Sequence, residues 1–169
     1  LTGVDAGDIV TYAIVVENMG SGLTGAFNVT LTDSLPAGMF FVPGTLCARD
    51  GAGAAFTYSG DLFTTPLRLD DPGPTNPDPG ALDRYSLTSG RNIAIITYNA
   101  VVTGSAVPNT TLTNTAALTF YSGTETGPDH TLTDPTDSAS VTTLPPLANK
   151  TLVGSEINNA TNANNQAVI

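Results

Sequence analysis

Lys150 is the only lysine of this 169-residue chain, His130 its only histidine and Cys47 its only cysteine. The side chains that most often act as bases or nucleophiles near neutral pH therefore occur once each. An enzyme needs a nucleophile with a base and an orienting group, paired acids in a cleft, or a set of metal ligands. No such set is spelled out. His130 stands in the polar stretch Gly127-Pro128-Asp129-His130-Thr131, with no G-x-S-x-G motif near it. We read the chain as a non-enzyme with no cofactor. One metal candidate remains: Asp70, Asp71, Asp78 and Asp83, with carbonyls of an irregular loop, have the oxygen ligands that Ca²⁺ prefers, in a spacing that matches no EF-hand. A merely solvated acidic loop is the competing reading. Asn28, Asn109, Asn149 and Asn159 each precede a non-proline residue and then threonine, the acceptor pattern for N-glycosylation. In a Thr-rich chain that pattern also arises by composition alone. Cys47 has no partner for an internal disulfide and reads as a small buried apolar residue, or else as a reactive thiol.

Asp and Glu total 15 against 5 Lys and Arg, for a net charge of -10, yet only 12% of residues are charged. Most of the polarity comes from Thr, Ser and Asn. Nucleic acid is excluded as a partner, because neutralising phosphates needs clustered Lys and Arg. A basic amphipathic membrane-surface helix is excluded on the same ground. No apolar run reaches the roughly 20 residues that span a bilayer, so membrane insertion of this segment is not expected. Residues 1–20 lack the basic and apolar regions of a signal peptide, which places any export signal or anchor outside this sequence.

The elements that would position these residues are strands. Apolar residues recur with a period of two, and no stretch of helical length carries a 3.6-residue stripe. Residues 8–17 put Val10, Tyr12, Ile14 and Val16 on one face, the expected core face. Residues 27–33 alternate Phe27, Val29 and Leu31 with Asn28, Thr30 and Thr32, and Leu35-Pro36-Ala37-Gly38 closes the strand in a tight turn. Residues 39–42 restart an extended segment, and weaker strands lie around 54–58 and 62–69. The Pro-, Asp- and Gly-rich residues 70–80 fit neither a helix nor a central strand. Residues 91–103 form the strongest strand of the chain. Residues 111–121 follow, with Leu112, Asn114, Ala116, Leu118 and Phe120 on one face, and residues 137–143 form the last strand before Pro145-Pro146. Seven or more short strands with turn signals between them describe an all-β, immunoglobulin-like antiparallel β-sandwich over residues 1–146. Residues 147–169 differ in composition: Lys150, Thr151, Leu152 and Val153 fit a short strand, and the Asn-rich remainder fits a linker.

Several segments, in order, resemble the surface-protein repeat known as domain of unknown function eleven and the isopeptide-forming domains of fimbrial proteins. They are Gly7-Asp8-Ile9-Val10-Thr11-Tyr12, Val16-Glu17-Asn18-Met19-Gly20 and Val29-Thr30-Leu31-Thr32-Asp33-Ser34-Leu35-Pro36. Later come Ile95-Ile96-Thr97-Tyr98, Leu112-Thr113-Asn114-Thr115-Ala116, Asp137-Ser138-Ala139-Ser140-Val141 and Asn149-Lys150-Thr151-Leu152. Together they span most of residues 5–153. The resemblance implies a sandwich repeated in exported proteins of bacteria or archaea, extracellular or on the cell surface, with a structural or adhesive role and no catalysis. It also implies that Asn149-Lys150 opens a unit, so that the chain is out of phase: the sandwich lacks its first strand and carries a strand-like extension at its C-terminal end.

A sandwich short of one strand exposes an apolar groove and an unpaired sheet edge, a template for an added strand. We expect residues 150–153 to fill such a groove in a neighbouring copy of the chain or in the next repeat of a longer one, a head-to-tail, donor-strand contact that builds an open filament. Docking onto the chain's own domain is the alternative. The fimbrial resemblance further implies roles for Lys150 as the amine, Asn114 as the amide and Asp33 as the assisting acid of a Lys–Asn isopeptide bond. By residue type alone, Asp33 caps a turn, Asn114 bonds backbone and Lys150 is solvated. A second class of function competes with the filament: an adhesive module whose loops, such as residues 70–80, hold a glycan or receptor.

Overall fold

The structure is a computed structural model, and it describes residues 2–20, 23–74, 79–131 and 133–146. Ten strands and no helix occur among them: β1 (Thr2–Val4), β2 (Ile9–Glu17), β3 (Phe27–Ser34), β4 (Met39–Phe41), β5 (Cys47–Asp50), β6 (Tyr58–Ser59), β7 (Leu67–Leu69), β8 (Ile93–Val102), β9 (Thr111–Ser122) and β10 (Thr136–Thr143). They form an all-β sandwich of two sheets. One has the order β1-β10-β9-β3-β7-β6; the other runs β2-β8-β4, with β5 also paired to β8. All pairings are antiparallel except β1 with β10, which is parallel.

Alternation along each strand decides which side chains meet between the sheets. On β8 every second residue, Ala94, Ile96, Tyr98, Ala100 and Val102, is buried, and β2 answers with Val10 and Tyr12. From the opposite sheet come Val29 and Leu31 of β3 and Leu67 and Leu69 of β7, none more than 1% exposed. Withdrawing each such leucine from water contributes about 1.5–3 kcal/mol. Ile96 and small Ala100 flank Tyr98 on the inner face of β8, and three rings gather on it: Phe63 at 5.0 Å, Tyr12 at 5.5 Å and Phe41 at 6.1 Å between centroids. Tyr98 is thereby fixed in one orientation.

Strands β2, β3, β4, β8, β9 and β10 lie where the sequence places them, within a residue or two. β5 is a departure. Cys47-Ala48-Arg49-Asp50 carries two charged residues and little β propensity, but it pairs with β8 from Thr97 to Ala94, so tertiary pairing overrides the local preference. Ala48 and Asp50 take the inward positions, which leaves Cys47 facing outward and half-buried instead of in the core. The residues of the 70–80 loop that are described contain no strand.

Candidate functional site: an open groove along an edge strand

β2 sits at the edge of its sheet. Its nine residues pair with β8 from Ile9↔Val101 to Glu17↔Ile93, and among the described residues its other edge has no strand beside it. Just past the strand, the Asn18 N–H donates to the Asn92 carbonyl at 2.8 Å. Hydrogen-bonding direction alternates along an antiparallel strand, so the backbone groups of even-numbered residues face β8 and those of Thr11, Ala13, Val15 and Glu17 face the free edge.

Between that edge and the β9–β10 pair runs a groove. Three cavities of about 120, 270 and 520 Å³ lie end to end along it. The first two share walls at Ile14, Val15, Ala116 and Asp137, and the second and third share Val16, Glu17, Leu118 and Pro135. Burial follows the opening. At one end Val4, Val10, Leu112 and Val141 are all buried and close the core. Farther along, Ile14 and Val16 on β2 and residues 116–121 on β9 are only half-buried, and residues 136–140 of β10 are exposed. Among the described residues no layer covers these inward-facing positions, and the face expected from Leu112 to Phe120 is buried only at Leu112 and Asn114. The far end, beside Met19, Tyr121 and His130, is open; Met19 is 69% exposed.

Where the groove meets the closed core, three polar side chains are buried together. Asp33 of β3 and Asn114 of β9 are each 4% exposed, and Tyr98 of β8 is 1% exposed. Tyr98 Oη donates to Asp33 Oδ2 at 2.6 Å; Asn114 Nδ2 donates to Tyr98 Oη at 2.6 Å and to Asp33 Oδ2 at 3.2 Å. Only the nitrogen side of an amide can face a carboxylate, so Asn114 turns its Oδ1 away. That atom and Asp33 Oδ1 are buried with no hydrogen-bond partner. Burial pushes the Asp33 carboxyl above the usual carboxylate range, against the opposing donations from Tyr98 and Asn114. The same burial, with Asp33 beside it, drives the Tyr98 hydroxyl far up, and it stays protonated. Asp33 and Asn114 both line the 120 Å³ cavity, together with Tyr12 to Val15 of β2 and Asp137 to Ala139 of β10. Two orphaned acceptors on such a cavity, with no donor to satisfy them, suit an incoming cation or N–H donor.

The structure therefore brings together Asp33 and Asn114, two of the three residues singled out for a cross-link. The third, Lys150, lies outside the described residues, as do Thr151, Leu152, Val153, Asp78, Asn149 and Asn159. Tyr98 completes the cluster and the sequence did not announce it, since on an alternating strand it reads as one more residue of the strand. The other candidates are scattered. Asp71 is held by the Asn28 N–H at 3.0 Å and faces Arg68 at 3.7 Å, Asp70 is exposed, and no group of three or more His, Cys, Asp or Glu able to hold a metal occurs among the described residues. Asn28 Nδ2, the atom a glycan would occupy, donates to Ser122 Oγ at 3.1 Å and to the Glu125 carbonyl at 2.8 Å. Asn109 is exposed, with a left-handed backbone at φ 54°. His130 is exposed and stacks edge-on against Tyr121.

No family model and no curated protein matches the chain. Solved structures do resemble it. A structure of the pilus backbone RrgB from Streptococcus pneumoniae is 20% identical with a TM-score of 0.54, over 76% of this chain and 45% of that one. The full-length RrgB pilus protein gives 20% identity and a TM-score of 0.53, over 77% of this chain and 20% of that one. The T6 backbone pilin of Streptococcus pyogenes is 16% identical with a TM-score of 0.49, covering 83% of this chain and 32% of that one. This chain spans less than half the length of these pilins, and at such identity the likeness is one of fold.

Proposed function

We propose that this chain is a structural module of an extracellular surface filament or stalk, joined head to tail by sharing a strand between neighbouring modules. The observation that carries this reading is the groove beside β2: a free edge of nine residues, a floor of half-buried apolar side chains and a buried polar end. An added strand would pair with the outward N–H and C=O groups of β2 and cover Ile14, Val16, Ala116 and Leu118. The fold shared with proteins named as pilus backbones supports the same reading. We assign the donated strand to the segment that carries Lys150, whose ammonium satisfies the orphaned Oδ1 atoms of Asp33 and Asn114.

This seat also allows a covalent link. Burial favours the proton on Asp33, so proton transfer from the ammonium leaves a neutral amine beside the Asn114 amide. The Lys150 Nζ–Asn114 Cγ bond forms, the Cγ–Nδ2 bond breaks, and Nδ2 leaves as ammonia with a proton passed from the amine by way of Asp33.

Microscopy of the concentrated full chain is expected to show continuous fibres. A strictly monomeric chain whose tail is protected from proteolysis overturns the proposal, and discrete monomers that bind glycans would favour an adhesive module. Intact mass separates the two forms of the joint. A loss of about 17 Da per junction reports the amide bond, and an unchanged mass removes the covalent step while leaving strand sharing in place.

A further inference from the structure

Among the described residues the groove is open at one end and closed at the other, and this sets which module donates the strand and in which direction it runs. β1 lies beside the end of β10, at Thr2↔Thr142 and Val4↔Thr143, and its chain continues through Asp5 to Asp8 into β2. The Leu144 N–H donates to the Val4 carbonyl at 2.9 Å, and the Gly7 N–H to the Val102 carbonyl at 2.8 Å. Val4, Val10, Leu112 and Val141 form a buried wall there, just beyond Asp33 and Asn114. A strand entering the groove comes in past Met19 and ends against that wall.

The chain's own tail leaves from the wrong end. β10 finishes at Thr143 on the closed side, and Pro145-Pro146 follow one residue later. Proline fixes its own φ and holds the preceding residue extended, so Leu144 and Pro145 carry the chain onward along β10 and not back into the groove. The reach is right for a neighbour stacked at that end. Six residues separate Thr143 from Lys150 in the sequence. Thr143 to Lys150 is thus seven residue steps, which at about 3.3 Å each extend about 23 Å and match the seven steps along β2 from Tyr12 to Met19. Charge fits as well, since the polar end of the groove offers two unsatisfied acceptors and Lys150 is the chain's only lysine.

Resting on the strand-sharing reading, we infer that residues 146–150 of a second copy enter the groove beside Met19 and run antiparallel to β2, with Lys150 across from Tyr12 at the Asp33–Asn114 end. The end of one module that bears Met19 and His130 therefore faces the end of the next that bears Val4 and Thr143. In this register Ala148 lies across from Ile14, and Leu147 is paired with Val15 on the outer face of the sheet. A parallel strand with Lys150 at the same place, the arrangement open to the chain's own tail, brings Val153 to Val15 instead.

Two double variants of the full chain, each in a Cys47→Ser background, separate these arrangements. Val15→Cys with Leu147→Cys is expected to give a ladder of disulfide-linked oligomers on oxidation, because directly paired residues have the Cα separation that a disulfide needs. Val15→Cys with Val153→Cys is expected to give none. The reverse pattern, with the link inside a single monomer, overturns the inference in favour of the chain's own tail. If neither pair links while the parent chain still forms fibres, the direction and register are wrong and strand sharing survives. If neither links and the parent chain stays monomeric, strand sharing itself fails.

Discussion

Ala13→Pro is expected to abolish assembly while leaving the module folded. The N–H of Ala13 faces the free edge of β2, because the Asn18-to-Asn92 hydrogen bond sets the even-numbered residues toward β8. Proline at an outward position removes no bond to β8, and edge strands tolerate it for that reason. For an arriving strand the change removes a donor at the centre of the new ladder and places a ring in its path. One lost hydrogen bond accounts for only about 1 kcal/mol; the larger effect is that pairing is interrupted on both sides of position 13. Sedimentation should show monomers at concentrations where the parent chain assembles, with the circular dichroism of a folded β protein. Ile14→Pro is the matched control. Its N–H faces β8, so it should disrupt the sandwich itself.

Asp33→Asn should divide stability from assembly. The folded carboxyl lies above its ordinary value of 3.8, so the folded state holds a proton that the unfolded chain has already released between those two values. Stability contributed by this group is therefore complete below 3.8 and falls as pH rises through the folded value; above it, the isolated module bears the cost of a buried carboxylate. Asparagine keeps an acceptor for Tyr98 and Asn114 and removes that cost. The variant module should melt higher than the parent at pH 7, with the difference vanishing toward pH 3. Assembly should move the other way. A Lys150 ammonium brought to the groove end would lose its counter-charge, and breaking one side of a buried charge pair costs about 3–5 kcal/mol, a weakening of roughly 100-fold or more. Raised melting at neutral pH with unimpaired assembly would show that Asp33 does not receive the donor strand.

Much of this was legible in the residues. Alternation in β2 marks the strand and its inward face, with Val10 and Tyr12 buried as expected; β8 is equally plain as a strand, but both its faces carry apolar residues, and the opposite sheet decides that Ile96 and Tyr98 turn inward. The ordered motifs around Asp33 and Asn114 also pointed to residues that the fold joins, 81 positions apart in sequence. What local pattern does not carry is pairing. β5 is a strand because β8 offers it an edge, and the Asn28 backbone, at φ 55° beside an irregular register between β3 and β9, is set by Asp71, Ser122 and Arg68 and not by its neighbours in the chain. Tyr98 reads only as one residue of a strand, because its hydroxyl's partners, Asp33 and Asn114, come from two other strands. The groove itself is a property of the assembled sheets and is written in no single segment.

Amide hydrogen exchange at Ala13 and Val15 tests the central claim most directly. In the isolated module both N–H groups face solvent and should exchange quickly, while Ile14 and Val16, bonded to β8, exchange slowly. In assembled material Ala13 and Val15 should slow by about 100-fold or more, reaching the protection of their neighbours. If they remain as fast in fibres as in monomers, no strand is added to this edge, and the modules are joined in some other way.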